Sequence, residues 1–173
     1  MKPVQPAYFL RFVLLSCLFP TLLLCSGCVS SAVYESGMIE LDGRNVLLKR
    51  KSDGPLLLQG PLEEELRNLP GAEVKVKGRS RAGQPHPRLK LDAYQLVDTG
   101  QGMLPHVGIL CWNVGELLLD QGPGQPILSL RGPLKDNLRL QVGARAWVVG
   151  PVVADETIEV LQWGILRPPV KAP

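Results

Sequence analysis

Two cysteines three positions apart are the residues of this chain whose spacing points most directly to chemistry. Cys25 and Cys28 form a C-x-x-C motif, the spacing of thioredoxin-like redox sites and of half a zinc site. A redox pair needs a helix N-terminus to lower the pKa of its thiol, and a zinc site needs further ligands nearby. Here the motif follows a Leu-rich run, and the further candidate ligands, His86, His106 and Cys111, are far from it in the sequence. We therefore expect neither a redox site nor a metal site.

The first 27 residues have the three parts of an export signal. They comprise a positively charged start, an apolar run at residues 12–24, and small residues just before Cys28. A membrane helix needs roughly 20 apolar residues, and this run is shorter and contains Pro20. A cleaved signal is therefore preferred over a retained membrane helix.

The stretch Cys25-Ser26-Gly27-Cys28 resembles the lipobox of bacterial lipoproteins. The resemblance implies that Cys28 receives a diacylglycerol thioether and becomes the first mature residue. The family prefers Leu where this chain has Cys25, with Leu24 one position earlier. Several acyl chains, each contributing about 0.8 kcal/mol per buried CH₂, make a durable membrane anchor. A plain cleaved signal and an uncleaved anchor are the alternatives.

The composition is that of a folded protein with little net charge. Its 173 residues, 45% of them hydrophobic, suffice for one ordinary domain or two small ones. Lys2 and Arg11 lie in the signal, so 17 of the 19 basic residues remain from Cys28 onward, against 16 acidic ones. A balance this close to neutral argues against a nucleic-acid partner.

An internal repeat divides the mature chain into two copies. Residues 58–78 align without gaps on residues 130–150 with ten identities, among them Gly71 with Gly143. The sequences on either side of this window match more loosely. Two copies of this size indicate paired small domains rather than a solenoid.

Each copy has the same predicted order of elements. Three short strands come first, at residues 38–41, 46–50 and 56–59, and at residues 107–112, 116–120 and 127–131. A short helix follows a Gly-Pro pair, then comes an alternating strand, and a last strand closes each copy at 89–97 or 157–166. Glu63, Glu64 and Glu65 in the first helical turn are interpreted as solvated acids that suit the helix dipole.

This order resembles the OB fold, a small five-stranded Greek-key barrel. The resemblance predicts a mainly β chain with two tandem OB-like barrels, each with one short helix between strands 3 and 4. An SH3-like barrel and a single larger β-sandwich are the alternatives. The predicted segments are a signal (1–27), a tether (28–36), module 1 (37–98), a linker (99–105), module 2 (106–167) and a tail (168–173).

Copy one carries a candidate face for an anionic ligand. OB folds often bind oligonucleotides or oligosaccharides, and a basic patch can meet phosphate, anionic lipid or an acidic partner. Only one aromatic residue, Tyr94, is expected in this copy, and one ring is few for a surface that stacks bases. The sequence favours a solvated outer face, in which acids such as Asp92 intervene, over such a binding face. The basic residues of the candidate face are Lys49, Arg50, Lys75, Lys77, Arg79, Arg88 and Lys90.

Copy two is apolar where copy one is charged. Trp147 and Val149 align with Lys75 and Lys77, and an exposed apolar face usually marks a contact. We expect this face to pack against the other copy, or else to bind a protein partner or an apolar or sugar ligand. Trp112 is interpreted as a core residue.

The sequence shows no nucleophile–base pair and no phosphate-binding loop, so we expect a protein that is not an enzyme and needs no cofactor. The first hypothesis is a membrane-anchored envelope lipoprotein whose barrels bind or assemble a protein partner. The alternative is a ligand-binding module for an anionic glycan, a lipid headgroup or nucleic acid. Val29 stands where the lipoprotein family has Asp in proteins kept at the inner membrane. The resemblance therefore implies an outer-membrane location facing the periplasm.

Overall fold

The computed structural model describes residues 32–81 and 86–169. The predicted signal, Cys28, most of the tether and part of the loop between the last two strands of copy one lie outside these ranges. Within them, no helix combines the length and the apolarity that crossing a membrane requires.

The first copy folds as a closed five-stranded barrel in the order β1-β2-β3-β5-β4. Strands β3 and β5 run parallel, and the other neighbouring pairs run antiparallel. A short helix, α1, lies between β3 and β4, which is the OB arrangement that the order of elements predicted. The elements are β1 (Ala32–Asp42), β2 (Asn45–Lys49), β3 (Leu56–Gln59), α1 (Glu63–Arg67), β4 (Glu73–Arg81) and β5 (Arg88–Asp98).

Strand β1 begins inside the predicted tether. It pairs with β4 from Ala32 opposite Arg79 to Met38 opposite Glu73. The early part of β1 was missed because two of its inward positions, Glu35 and Gly37, are not apolar and so interrupt the alternation. The first barrel therefore starts about five residues earlier than the alternation of apolar residues predicted.

The second copy repeats the arrangement with two interruptions. Its seven described strands form one sheet in the order β10-β11-β8-β7-β6-β9-β12, with β11 parallel to β8 and β12 antiparallel to β9. This differs from the five-stranded closed barrel predicted for it, because the sheet is not closed between β11 and β12; we call it the second barrel because its strands correspond to those of the first. The single strand predicted at residues 157–166 is divided at Val160 and Leu161, and Pro151, which lacks an N–H group, separates β9 from β10. The elements are β6 (His106–Asn113), β7 (Glu116–Asp120), β8 (Ile127–Arg131), α2 (Lys135–Arg139), β9 (Arg145–Val149), β10 (Val152–Ala154), β11 (Thr157–Glu159) and β12 (Gln162–Arg167).

Backbone geometry explains two of the repeated glycine positions. Gly71 and Gly143, which follow the helices, have φ angles of +81° and +88°, a region that side chains disfavour. Gly78 and Gly150 lie where a Cβ atom would collide with a carbonyl oxygen of the neighbouring strand. The identities that revealed the repeat are therefore partly requirements of the barrel backbone.

The two barrels pack against each other through strand β9, which is buried on both faces. Ala146 and Val148 belong to the core of the second barrel, whereas Trp147 and Val149 join the apolar cluster of the first. The Trp147 ring lies over Gly164 of β12, where an added Cβ would approach the indole nitrogen within 2.6 Å. Packing between the copies accounts for this apolar face.

The sequence interpretation of Trp112 as a core residue is wrong. Its side chain is 38% exposed near the end of β6. The Arg139 guanidinium lies 4.3 Å from the ring centre and the Lys135 ammonium 5.5 Å from it. At the end of the strand the barrel core gives way to solvent, and cations of α2 cover the ring instead.

Candidate functional site

Most of the predicted basic face forms one surface on the outside of the first barrel. Strand β4 exposes Lys75, Lys77 and Arg79, which alternate with buried residues. Arg79 is paired in register with Lys90 of β5, and Arg81 with Arg88. We call the four side chains at the far end of these strands, Arg79, Arg81, Arg88 and Lys90, the basic end.

Lys49 and Arg50 do not belong to this surface. The Arg50 Nη1 atom lies 3.2 Å from Glu35 Oε1, and Nη2 donates a hydrogen bond of 2.9 Å to the carbonyl oxygen of Gly54. Lys49 is paired with Met38 on the β1–β2 side of the barrel. Because Glu35 balances its charge, Arg50 holds the barrel wall together rather than adding to a binding face.

A groove of about 500 Å³ opens on the outer face of β1, β4 and β5. Tyr34 is 71% exposed beside it, and the Lys77 ammonium lies 5.4 Å from the centre of its ring. Ser36 is paired with Lys75, and Lys75 with Gln95 on the other side. We call this the tyrosine groove, defined by Tyr34, Ser36, Lys75, Lys77 and Gln95.

Tyr34 is the residue that sequence reasoning missed. It was assigned to the tether, so the first copy was credited with Tyr94 alone as an aromatic. The sequence signal for it is weak: Val33 and Ile39 fall on the inward side of β1 while Tyr34 faces out, but Glu35 and Gly37 interrupt the apolar positions between them.

Glu65 differs from the sequence interpretation, which placed it in solvent. It is 4% exposed and accepts a hydrogen bond of 2.7 Å from the Tyr94 hydroxyl. The Arg145 Nε atom lies 3.2 Å from Glu65 Oε2, although it is not aligned as a hydrogen bond, and the Arg167 Nε atom lies 3.9 Å from Oε1. Burial raises the pKa of Tyr94, and the hydrogen bond to Glu65 and its charge raise it further. Glu65 therefore connects the first barrel to the second.

The neighbouring acids of α1 stay at the surface. Glu63 forms an ion pair of 2.8 Å with Arg67 one turn later, and the Glu64 side chain is largely solvated. These two carboxylates do not converge with Glu65 on a common site.

A second cleft, of about 460 Å³, lies between the barrels. Tyr94, His106, Gln125 and Arg145 contribute its polar groups. Since Glu65 already balances the Arg145 charge, this cleft offers a weaker attraction to an anion than the tyrosine groove does.

The other residues with chemical potential stay apart. His86 follows the incompletely described loop, and His106 begins β6. Burial raises the pKa of the Cys111 thiol, and the nearby Asp120 carboxylate adds to the effect, so its reactive thiolate form is disfavoured. Over the two described ranges, no group of three His, Cys, Asp or Glu side chains could hold a metal ion.

The groups of the tyrosine groove are suited to binding. Lysine ammonium groups attract carboxylate and phosphate, the Ser36 hydroxyl and Gln95 amide both donate and accept hydrogen bonds, and an exposed aromatic ring offers a flat apolar surface. A ligand that combines rings with negative charges matches these groups.

No protein-family model matches the chain, and no curated protein matches it. Among solved structures, it is similar to a deletion mutant of the single-stranded DNA-binding protein from Thermus aquaticus. The identity is 14% and the TM-score 0.30, over 82% of this chain and 96% of the other. A likeness at this level gives no basis for transferring a ligand, and the description of the fold rests on the strand order and register above.

Proposed function

We propose that this protein is a lipid-anchored, non-enzymatic binding module of the bacterial cell envelope, and that its first barrel holds an anionic glycan in the tyrosine groove. The observation that carries the proposal is the exposed Tyr34 ring with the Lys77 ammonium 5.4 Å from its centre, beside an open groove of about 500 Å³.

The chemistry of the groove favours a glycan over a nucleic acid. A single-stranded nucleic acid is usually held by several aromatic side chains that stack successive bases. Of the two aromatics described in the first barrel, Tyr94 is committed to Glu65, which leaves Tyr34 for stacking. One ring and two lysines match a short run of sugars that carry carboxylate or phosphate groups.

The protein-assembly hypothesis was based on the apolar face of copy two, and the first barrel covers that face. Trp147 and Val149 are buried in the cluster of the first barrel, so they are not available to a further partner. The tyrosine groove and the basic end remain open to solvent, and both present lysine or arginine side chains.

The membrane anchor is supported by the Leu-rich run that ends in Ser26-Gly27-Cys28. We expect Cys28→Ser to abolish acylation, which the mass of the N-terminal mature peptide would report. A Cys28→Ser protein that is still acylated and still membrane-bound would contradict this part of the proposal.

Glycan binding can be tested with polygalacturonate as the anionic polymer, neutral dextran as its uncharged counterpart, and oligothymidine as the nucleic acid. We expect binding to polygalacturonate that added salt weakens. Tyr34→Ala should weaken it about three- to tenfold through loss of the ring contact, and Lys77→Gln should weaken it by a similar factor. Lys49→Gln removes the same charge outside the groove and serves as the matched control.

The outcomes separate the alternatives. Tighter binding of oligothymidine, lost on Tyr34→Ala, would replace the glycan with nucleic acid as the ligand class. Binding that Lys49→Gln weakens as much as Lys77→Gln does would show that general charge, and not the groove, attracts the polymer.

A further inference from the structure

The basic end of the first barrel coincides with the place where the chain enters it. Ala32 at the start of β1 is paired with Arg79, which is paired in turn with Lys90. Arg81 and Arg88 form the next pair beyond them. All four basic side chains are exposed, so the first described residue of β1 adjoins a cluster of four cations.

This positive charge is poorly balanced. Arg79 forms an exposed pair with Asp92, at 3.4 Å, whereas Arg81, Arg88 and Lys90 have no ion-pair partner among the described residues. The sequence contains no acidic residue in positions 1–31 or 82–85. These undescribed segments therefore contain no carboxylate side chain that could neutralise the cluster.

The predicted acyl site is close to this end in sequence. Cys28 precedes Ala32 by four residues, and four residues span at most about 14 Å when fully extended. A lipid on Cys28 would therefore hold the basic end within about 14 Å of the headgroups, less than two Debye lengths of about 8 Å at physiological salt.

The second barrel lies at the other end of the first one. Helix α1 precedes β4 and adjoins Ile39, whose N–H donates a 2.9 Å hydrogen bond to the carbonyl oxygen of Ala72. Seven residues of strand separate Ile39 from Ala32, which is about 23 Å. Asn68, which follows α1, donates a 3.0 Å hydrogen bond to the carbonyl oxygen of Leu166 in the second barrel. The second barrel therefore does not cover the basic end.

We infer that the basic end docks on anionic phospholipid headgroups of the membrane that holds the acyl chains of Cys28. The inference rests on the lipid anchor of the proposed function, and it adds an orientation: basic end on the bilayer, second barrel away from it, tyrosine groove facing sideways. Each Lys or Arg near an anionic surface favours the docked state by about fivefold, so four of them define a preferred pose.

The test uses the acylated full-length protein reconstituted into vesicles of phosphatidylcholine alone, or of phosphatidylcholine mixed with phosphatidylglycerol. Exposed arginines are modified with phenylglyoxal, and the rate at each site is measured by mass spectrometry. We expect Arg79, Arg81 and Arg88 to react more slowly on the anionic vesicles only, and Arg131 of the second barrel to react equally on both. Salt at 1 M, where the Debye length is about 3 Å, should remove the protection.

Two variants of equal charge change sharpen the test. Arg81→Gln with Arg88→Gln should lower the docked-to-undocked ratio about thirtyfold, which would appear as a return of Arg79 labelling toward its rate on neutral vesicles. Arg131→Gln with Lys135→Gln removes two charges from the second barrel and should leave Arg79 protected.

Each result has a defined meaning. If Cys28 is acylated but the arginines of the basic end are labelled equally on both vesicle types, the docking is wrong and the anchor is not affected. The same conclusion follows if Arg79 stays protected in the Arg81→Gln, Arg88→Gln variant. An N-terminal peptide without acyl mass overturns the anchor and the docking together. Binding of polygalacturonate, measured separately with Lys77→Gln, reports on the tyrosine groove whatever the vesicles show.

Discussion

Replacing Trp147 with alanine should uncouple the two barrels. The side chain starts from a strand of the second barrel but lies in the apolar cluster of the first, with only 7% of it exposed. Its removal therefore leaves a cavity at the contact between the barrels while both individual barrel cores keep their own residues.

The size of the effect follows from two opposing contributions. A buried tryptophan removes about 200 Å² from water, which is worth about 5 kcal/mol at 25 cal/mol per Å². The Trp147 Nε1 atom has no hydrogen-bond partner within the described residues, and such an unpaired donor costs about 1–3 kcal/mol. We expect Trp147→Ala to lower the free energy of unfolding by about 3 kcal/mol, at the low end of core Trp→Ala changes.

Urea denaturation followed by far-ultraviolet circular dichroism measures this loss without relying on the fluorophore that is removed. Trp112→Ala is the matched control, and it should cost about 1–2 kcal/mol because that ring is half-exposed and stacked on cations. Trp147→Phe keeps most of the ring, removes the unpaired donor, and should stay within about 1 kcal/mol of the original protein. A loss on Trp147→Ala no larger than that on Trp112→Ala would refute the reasoning.

Three further predictions concern the same contact. Because the pKa of Tyr94 is raised in the folded protein, this tyrosine ionises at lower pH in the unfolded chain than in the folded one. Above about pH 10 the free energy of unfolding should therefore fall by up to about 1.4 kcal/mol per pH unit. Tyr94→Phe should remove this contribution, which denaturation curves recorded across that pH range would show. Glu65→Gln should cost about 1–3 kcal/mol because Arg145 and Arg167 lose their partner, against about 0.5 kcal/mol for Glu63→Gln at the surface, both measured by urea denaturation; equal losses would contradict the buried role of Glu65. Gly164→Ala should cost about 1–3 kcal/mol through collision with the Trp147 ring, and a double-mutant cycle should show most of that cost disappearing in the Trp147→Ala background.

The barrels could be predicted because their signals are local and occur twice. The Gly-Pro pairs, the leucines of the helix and the alternation in β4 recur in both copies, so each supports the assignment of the other. The start of β1 was not predicted because Glu35 and Gly37 interrupt the apolar positions on its inward face. The division of the last strand of copy two escaped because the interruption comes from the partner strand, at Pro151, and not from the residues that are divided.

Some features of the candidate sites could be predicted from local sequence, and others depend on how the barrels pack. The alternation of Lys75 and Lys77 can be deduced from β4 alone, and the register of two adjacent strands then brings Lys90 beside Arg79. The burial of Glu65 could not be deduced, because it depends on arginines about 80 and 100 residues later, at positions 145 and 167, that reach it only after the barrels pack. Comparing the two copies therefore revealed the apolar half of the contact between the modules, at Trp147 and Val149, but not its buried charges.

The divergence of the two copies has a physical cause in that contact. Two barrels with the charged β4 face of copy one could not pack on each other, because burying Lys75 and Lys77 equivalents without partners would cost several kcal/mol per charge. Copy two instead has Trp147 and Val149 at these positions and gains a stable contact, but it gives up the lysines from which a groove like that of Tyr34 is built. Restoring them, as Trp147→Lys with Val149→Lys, should separate the barrels without creating a second binding groove, because the first strand of copy two, β6, begins at His106 and contains no tyrosine. Added affinity for polygalacturonate in that variant would show that lysines alone suffice, and that Tyr34 is not needed.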